Sequence, residues 1–129
     1  HLYNPLSGET AIYVHAKLTI IDDRILRIGS ANLNNRSMRL DSECDVFIDC
    51  ERPGNDHACE GIRALRLSLL AEHCGLEEAE VAPLLEQAGS MAAMIAACAA
   101  SSRRNAKGWR PNWPTARCSI RKARKNCSN

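Results

Sequence analysis

Three segments in the first half of the chain have the alternating or strongly apolar composition that is typical of β-strands. The expected strands are residues 11–21, 24–28 and 44–50. Asp22 and Asp23 are expected to form the turn between the first two strands. In the third strand, a period of two places Val46 and Ile48 on the same face. The first half of the chain is therefore predicted to form a small sheet.

Apolar residues recur at helical spacing in the second half, which predicts three helices. The expected helices are residues 57–74, 77–87 and 90–100. Gly75 is a suitable stop for the first helix, and Pro83 is expected to shift the start of the second helix or to kink it. A sheet followed by helices predicts an α/β fold, in which a partial sheet packs with C-terminal helices.

Charge is divided sharply along the chain. Residues 1–102 contain 8 Lys and Arg residues and all 15 Asp and Glu residues, whereas residues 103–129 contain 9 Lys and Arg residues and no acidic residue. Residues 1–102 are therefore predicted to be the folded domain, and residues 103–129 a basic, disordered tail. Such a tail is also suited to an anionic membrane surface or to nucleic acid, with Trp109 and Trp113 at a membrane interface.

The segment from His15 to Asn32 collects the side chains that phosphate-ester chemistry requires. His15 offers an imidazole, which can donate or accept a proton near neutral pH, and Lys17 offers an ammonium that can bind a phosphate oxygen. In a strand, their spacing would place both side chains on one face. Ser30 and Asn32 add neutral donors for the same phosphate. No compact His and Cys cluster indicates a metal, and no cofactor is expected.

The whole string resembles the signature of the phospholipase D superfamily, in which His-x-Lys is followed after four residues by Asp and after six more by Gly-Ser. The corresponding residues here are His15, Lys17, Asp22, Gly29 and Ser30. The sequence that follows, LNNRSMRLDSECDVFID, resembles the second motif of bacterial phospholipase D and transphosphatidylase proteins. The resemblance covers roughly residues 10–75 and implies the C-terminal half of such an enzyme.

The resemblance implies a phosphodiesterase or phosphatidyltransferase that acts on phospholipid through a phospho-histidine intermediate. His15 would be a catalytic nucleophile, base or acid, and its place in a second motif favours the acid role. Lys17 would complete the catalytic pair, and Glu43 would orient the His15 ring. Asp22 belongs to the catalytic motif, but it is expected to support the hairpin rather than to take part in the chemistry.

Members of this superfamily usually carry two such motifs, and this chain has one. The second motif is therefore expected from a missing N-terminal half or from a homodimer partner. The alternatives are a cardiolipin synthase-like transferase, a nuclease-type phosphodiesterase that works as a homodimer, and an inactive truncated half-site. The basic tail mildly favours a nuclease, whereas the continuation LNNRSMRLDSECD favours the lipid-type members.

Seven cysteines are present, and without a secretion signal they are expected to be mostly reduced thiols. Cys44 and Cys50 lie too far apart along the third strand to bridge directly. No apolar stretch approaches the ~20 residues of a membrane span, and no signal peptide is recognised. A cytoplasmic or peripheral membrane protein is therefore expected.

Overall fold

The computed structural model describes residues 3–7, 10–105 and 119–122 of the chain. Within these residues it contains helices and antiparallel sheets, which confirms the predicted α/β class. The elements in chain order are β1 (Tyr3–Ser7), β2 (Thr10–Ala11), β3 (Leu18–Ile21), β4 (Ile25–Gly29), α1 (Asn35–Arg39), β5 (Asp45–Asp49), α2 (Ala58–Cys74), α3 (Glu78–Ala88), α4 (Met91–Asn105) and β6 (Ser119–Lys122). The described residues form two compact units.

The unit of residues 15–66 is built on the sheet β3-β4-β5, in which both strand pairs are antiparallel. The register places Leu26 beside Ile20 on one side and beside Ile48 on the other. Leu26 is buried in a core cluster with Cys50 and with Ile62 of α2. The residues that pack against this cluster are Leu18, Ile20, Ala58, Cys59 and Leu65. The start of α2 thus covers part of one sheet face.

The turn between β3 and β4 lies where it was predicted. Asp22 and Asp23 have φ angles of 51° and 56°, and the Arg24 N–H donates to the Ile21 carbonyl at 2.9 Å. Left-handed conformations at both central positions are typical of a type I′ hairpin turn, and Asp tolerates them better than most residues. The Asp23 carboxylate also accepts from Nη2 of Arg66 in α2 at 2.6 Å, which ties the turn to the helix.

The first strand is shorter than the predicted residues 11–21, because residues 12–17 lie outside any strand and β3 begins at Leu18. The length of the neighbouring strand explains the difference. β4 ends at Gly29, whose N–H donates to the Lys17 carbonyl at 3.1 Å. The ladder between β3 and β4 therefore begins at the pair of Leu18 and Ile28. β4 and β5 agree closely with the other two predicted strands.

Cys50 and Cys59 form a disulfide, with their Cα atoms 5.6 Å apart. The expectation of reduced thiols is wrong for this pair. The chain reverses between the end of β5 and the start of α2, and this brings together two cysteines that the sequence assigned to different elements. Cys44 and Cys98 are free thiols, as expected, and Cys44 does not bridge Cys50.

The other unit contains the described residues up to Val14 and from Leu67 onwards. Its sheet has the strand order β2-β1-β6, and both strand pairs are antiparallel. Its core combines the C-terminal part of α2 with α3 and α4. The buried residues of this core are Leu70, Ala71, Cys74, Val81 and Met94.

The helices agree with the sequence prediction. Gly75, with a φ of 66°, follows the last residue of α2. α3 begins at Glu78, and the Glu80 side chain accepts the N–H of Glu77 at 2.9 Å at its start. Pro83 lies inside α3 without ending it, and Gly89, with a φ of 70°, ends this helix. A glycine in the left-handed conformation directly after a helix is a common stop signal, and both α2 and α3 end in this way.

The predicted boundary between domain and tail falls inside α4, which continues to Asn105, and residues 119–122 form β6. The rest of the predicted tail, with Trp109 and Trp113, lies outside the described residues, so the division into domain and tail stays a prediction. In the part of the chain that the structure describes, no single helix is long and apolar enough to cross a membrane. α3 and the first part of α4 meet that test only as a pair, with a bend of 111° between them.

Candidate functional site

One edge of the sheet β3-β4-β5 carries much of the predicted site. In an antiparallel sheet, the start of β3, the end of β4 and the start of β5 lie at the same end. Lys17 directly precedes β3, Ser30 directly follows β4, and Glu43 lies two residues before β5. Backbone hydrogen bonds of 3.1 Å join Gly29 to Lys17 and Ser30 to Cys44. The structure therefore brings Lys17, Ser30 and Glu43 to one place.

Ser30 is bonded to Glu43. Its hydroxyl donates to Oε2 of Glu43 at 2.6 Å and accepts the N–H of Cys44 at 3.0 Å. A hydroxyl has a single proton to donate, and here that proton goes to Glu43. To donate a hydrogen bond to a phosphate, as predicted, Ser30 would have to give up its hydrogen bond to Glu43. In the arrangement described, Ser30 holds a carboxylate in place.

Glu43 is partly exposed and is held in its ionised form. The hydroxyls of Ser30 and then Ser37 keep its pKa below the ordinary value, and the charge of Lys17 acts in the same direction. Desolvation and the charge of Asp45 oppose this lowering of the pKa. An ionised carboxylate can accept an imidazole N–H and can stabilise an imidazolium. The predicted contact between Glu43 and the His15 ring stays a prediction.

His15 and Lys17 lie in the extended segment before β3, where His15 is exposed and Lys17 is partly exposed. The Lys17 ammonium donates to the backbone carbonyl of His15 at 2.8 Å. An ammonium has three donors, so this bond uses one of them. The segment is not a strand, so the alternation of a strand does not place the two side chains on one face. The hydrogen bond instead keeps the ammonium of Lys17 beside the backbone of His15.

Sequence reasoning missed an ion pair that supports this edge of the sheet. Oδ2 of Asp45 accepts from Arg27 at 2.9 Å, and its Oδ1 accepts the Ala31 N–H at 3.3 Å. Arg27 also donates to the Ala31 carbonyl at 2.9 Å. The hydrogen bond from Arg27 is the main reason that the pKa of Asp45 lies below its ordinary value. Together these bonds fix the backbone directly after Ser30.

A second ion pair lies in the loop before β5, where Nη2 of Arg36 is 2.9 Å from Oδ1 of Asp41. Asp45 pairs with Arg27 and not with an arginine of that loop. The strand register places Arg27 opposite Phe47, and therefore diagonally across from Asp45 on the same face.

The other two predicted residues, Asn32 and Asp22, lie in the connections that flank β4. Asn32 is exposed in the loop between β4 and α1. Asp22 lies in the hairpin turn, at the opposite end of β3 from Lys17, which favours support of the hairpin over direct chemistry. Within the described residues, no group of three or more His, Cys, Asp or Glu side chains is placed to hold a metal ion.

The motif lies in a part of the chain that matches a known family. The family model described as Phospholipase D matches residues 7–112. The chain belongs to the phospholipase D family. This match includes the motif from His15 to Asn32 and all elements from β3 to α4.

Several curated phospholipases D are similar to part of the chain. Phospholipase D alpha 4 of Arabidopsis thaliana is 45% identical over 64 residues, and phospholipase D zeta 1 of the same plant is 42% identical over 84 residues. Phospholipase D of Phytophthora infestans is 36% identical over 84 residues. These alignments cover 50% to 58% of this chain but only 5% to 8% of those proteins. No solved structure matches the chain, and the expected bacterial type is not confirmed.

Proposed function

We propose that this chain supplies one His-Lys motif of a phospholipase D-type site, which cleaves or transfers the phosphodiester of a phospholipid. The observation that carries the proposal is the placement of Lys17, Ser30 and Glu43 at one sheet edge, next to the segment of His15. Membership of the phospholipase D family supports it. The names of the similar plant and oomycete proteins agree with it.

In this proposal, each residue acts on the phosphate or on the imidazole. Lys17 binds a non-bridging phosphate oxygen, and the exposed amide of Asn32 donates to the same phosphate. Glu43 accepts the second N–H of the His15 ring and fixes its orientation. The bond from Ser30 supports this role, because it keeps Glu43 both ionised and positioned.

The reaction requires two imidazoles. One imidazole nitrogen attacks phosphorus, which forms a P–N bond and breaks the bond to the head-group oxygen, and the leaving alcohol takes a proton from the other imidazole. Water or another alcohol then attacks phosphorus, releases the first imidazole and returns a proton to the second. His15 is assigned the acid role. A second motif, from another copy of this chain or from further sequence, supplies the attacking imidazole.

The first experiment measures release of a chromogenic alcohol from a phosphatidyl ester by the full chain over a range of protein concentrations. If two copies assemble the site, the rate rises faster than linearly with protein concentration. His15→Ala is expected to lower the turnover rate by about 10²-fold or more, since it removes an acid–base group. His57→Ala is the matched control, because His57 is exposed directly before α2 and its replacement should leave the rate unchanged.

Two outcomes would contradict the proposal. His15→Ala could retain full turnover, which would exclude the assigned acid role. The full chain could instead release no chromogenic alcohol at any concentration, either alone or mixed with a separate protein that carries a second motif. A parallel assay with a nucleotide diester distinguishes the nuclease alternative, which predicts cleavage of that diester in preference to the phosphatidyl ester.

A further inference from the structure

The loop that follows the site exposes apolar side chains that do not pack. It comprises residues 32–41 and is called here the site loop. Leu33 is 85% exposed, Met38 is 61% exposed and Leu40 is 80% exposed. Single exposed apolar residues are common on protein surfaces, but three within eight consecutive residues form a local apolar surface.

The short helix α1 has the reverse of the usual polarity. An amphipathic helix of a globular protein turns its apolar residues towards the core. In α1 the buried residue is Ser37, whose N–H donates to the Asn34 side chain at 2.9 Å. Met38 lies on the solvent side of the same helix. Core packing therefore does not explain the apolar residues of the site loop.

Basic side chains alternate with these apolar ones. Arg36 pairs with Asp41 but keeps 77% of its side chain exposed, and Arg39 is exposed at the end of α1. A long basic side chain can extend to phosphates while neighbouring apolar groups enter a less polar layer. This combination matches the phosphate and acyl boundary of a phospholipid surface. A purely apolar or a purely acidic partner would match it less well.

The site loop is also continuous with the candidate site. It begins at Asn32, directly after Ser30 and Ala31, and ends two residues before Glu43. We propose that the site loop is a membrane-contact surface, which inserts Leu33, Met38 and Leu40 into the boundary of a phospholipid bilayer. The inference rests on the proposed function, because it gives a reason for a lipid surface to lie beside the phosphodiester site.

The test measures binding of the full chain to sedimented phosphatidylcholine vesicles at about 1 M salt, where charges are screened beyond ~3 Å and attraction of basic residues is suppressed. The site-loop variant carries Leu33→Ser, Met38→Ser and Leu40→Ser. Its affinity for vesicles is expected to fall by about tenfold or more, since three apolar side chains no longer enter the bilayer. Thermal unfolding should match the wild type, because all three side chains are exposed.

A matched control removes exposed apolar area elsewhere in the same unit. Val46 and Phe47 of β5 are each 63% exposed, and the pair Val46→Ser and Phe47→Ser should bind vesicles as the wild type does. Equal loss in both variants, unchanged binding of the site-loop variant, or no binding by the wild type would overturn the proposal. Loss of a dimer in sedimentation velocity without loss of vesicle binding would assign the site loop to a protein interface instead.

His15→Ala separates this inference from the proposed function. This variant should bind vesicles as tightly as the wild type, whatever its turnover of the phosphatidyl ester. Vesicle binding that depends on the site loop, together with turnover that does not depend on His15, would sustain the membrane surface and refute the proposed chemistry. Vesicle binding that does not depend on the site loop, together with turnover that depends on His15, would refute the membrane surface and leave the proposed chemistry intact.

Discussion

Gly29 lies at the end of β4, where a side chain would collide with its neighbours. A Cβ atom at this position would overlap Oδ1 of Asp45 and lie 2.6 Å from the carbonyl oxygen of Cys44. The carboxylate of Asp45 occupies this space because it bridges Arg27 and the Ala31 backbone. The absence of a side chain at Gly29 is therefore what allows the ion pair to approach the backbone beside Ser30.

Gly29→Ala is expected to lower the free energy of unfolding by about 1–3 kcal/mol, since Asp45 or the backbone must move. Gly61→Ala is the control, because an added Cβ in this part of α2 meets no described atom within 4 Å. That substitution should raise the free energy of unfolding by about 0.5–1 kcal/mol, since alanine favours a helix over glycine. Urea denaturation of both variants checks the opposite signs, and an unchanged Gly29→Ala variant would refute the close approach.

The hairpin of β3 and β4 is fastened to α2 through one carboxylate. Two hydrogen bonds from Arg66, at 2.5 and 2.6 Å, reach Asp23 and lower its pKa, with the Arg66 hydrogen bond as the largest cause. A carboxyl whose pKa is lowered by folding stabilises the fold above its unfolded pKa. That contribution is lost as the pH falls through the lower, folded pKa.

Asp23→Asn is expected to cost about 1–2 kcal/mol of unfolding free energy at neutral pH, because Arg66 loses a charged partner. The difference from the wild type should shrink as the pH falls below about 4, where the Asp23 carboxyl becomes protonated in the unfolded chain, and it should be lost at the lower pKa of the folded state. Asp22→Asn is the matched control, since Asp22 is exposed in the same turn with a φ of 51°. Denaturation measured from pH 7 to pH 3 checks this, and a constant difference across that range would contradict the assignment.

Elements that depend on local sequence could be predicted, and those that depend on a distant partner could not. The turn at Asp22 and the stop of α2 at Gly75 follow from residue types alone. The start of β3 depends instead on where β4 ends, which the apolar composition of residues 11–21 does not reveal. The bond from Ser30 to Glu43 likewise spans 13 positions and exists only because two strand ends meet.

At the scale of the whole molecule, α2 contributes to two separate cores. Ile62, which is 2% exposed, packs with Leu26 and Cys50 in one unit. Leu70 of the same helix belongs to the core of the other unit, with the fully buried Val81. As far as the structure describes them, the two clusters share no residue. Because separately packed clusters open as separate cooperative regions, the two units should differ in how often they open.

Ile62→Ala is expected to cost about 2–5 kcal/mol, since it leaves a cavity in the core under β4. It should accelerate hydrogen exchange in β3, β4 and β5 more than in α3. Val81→Ala should do the reverse, because its cavity lies in the core of α3 and α4. Hydrogen exchange read by mass spectrometry on both variants checks this pairing. If either substitution raised exchange equally in both units, α2 would have to couple the two cores into one cooperative region, and the separation inferred from their packing would be wrong.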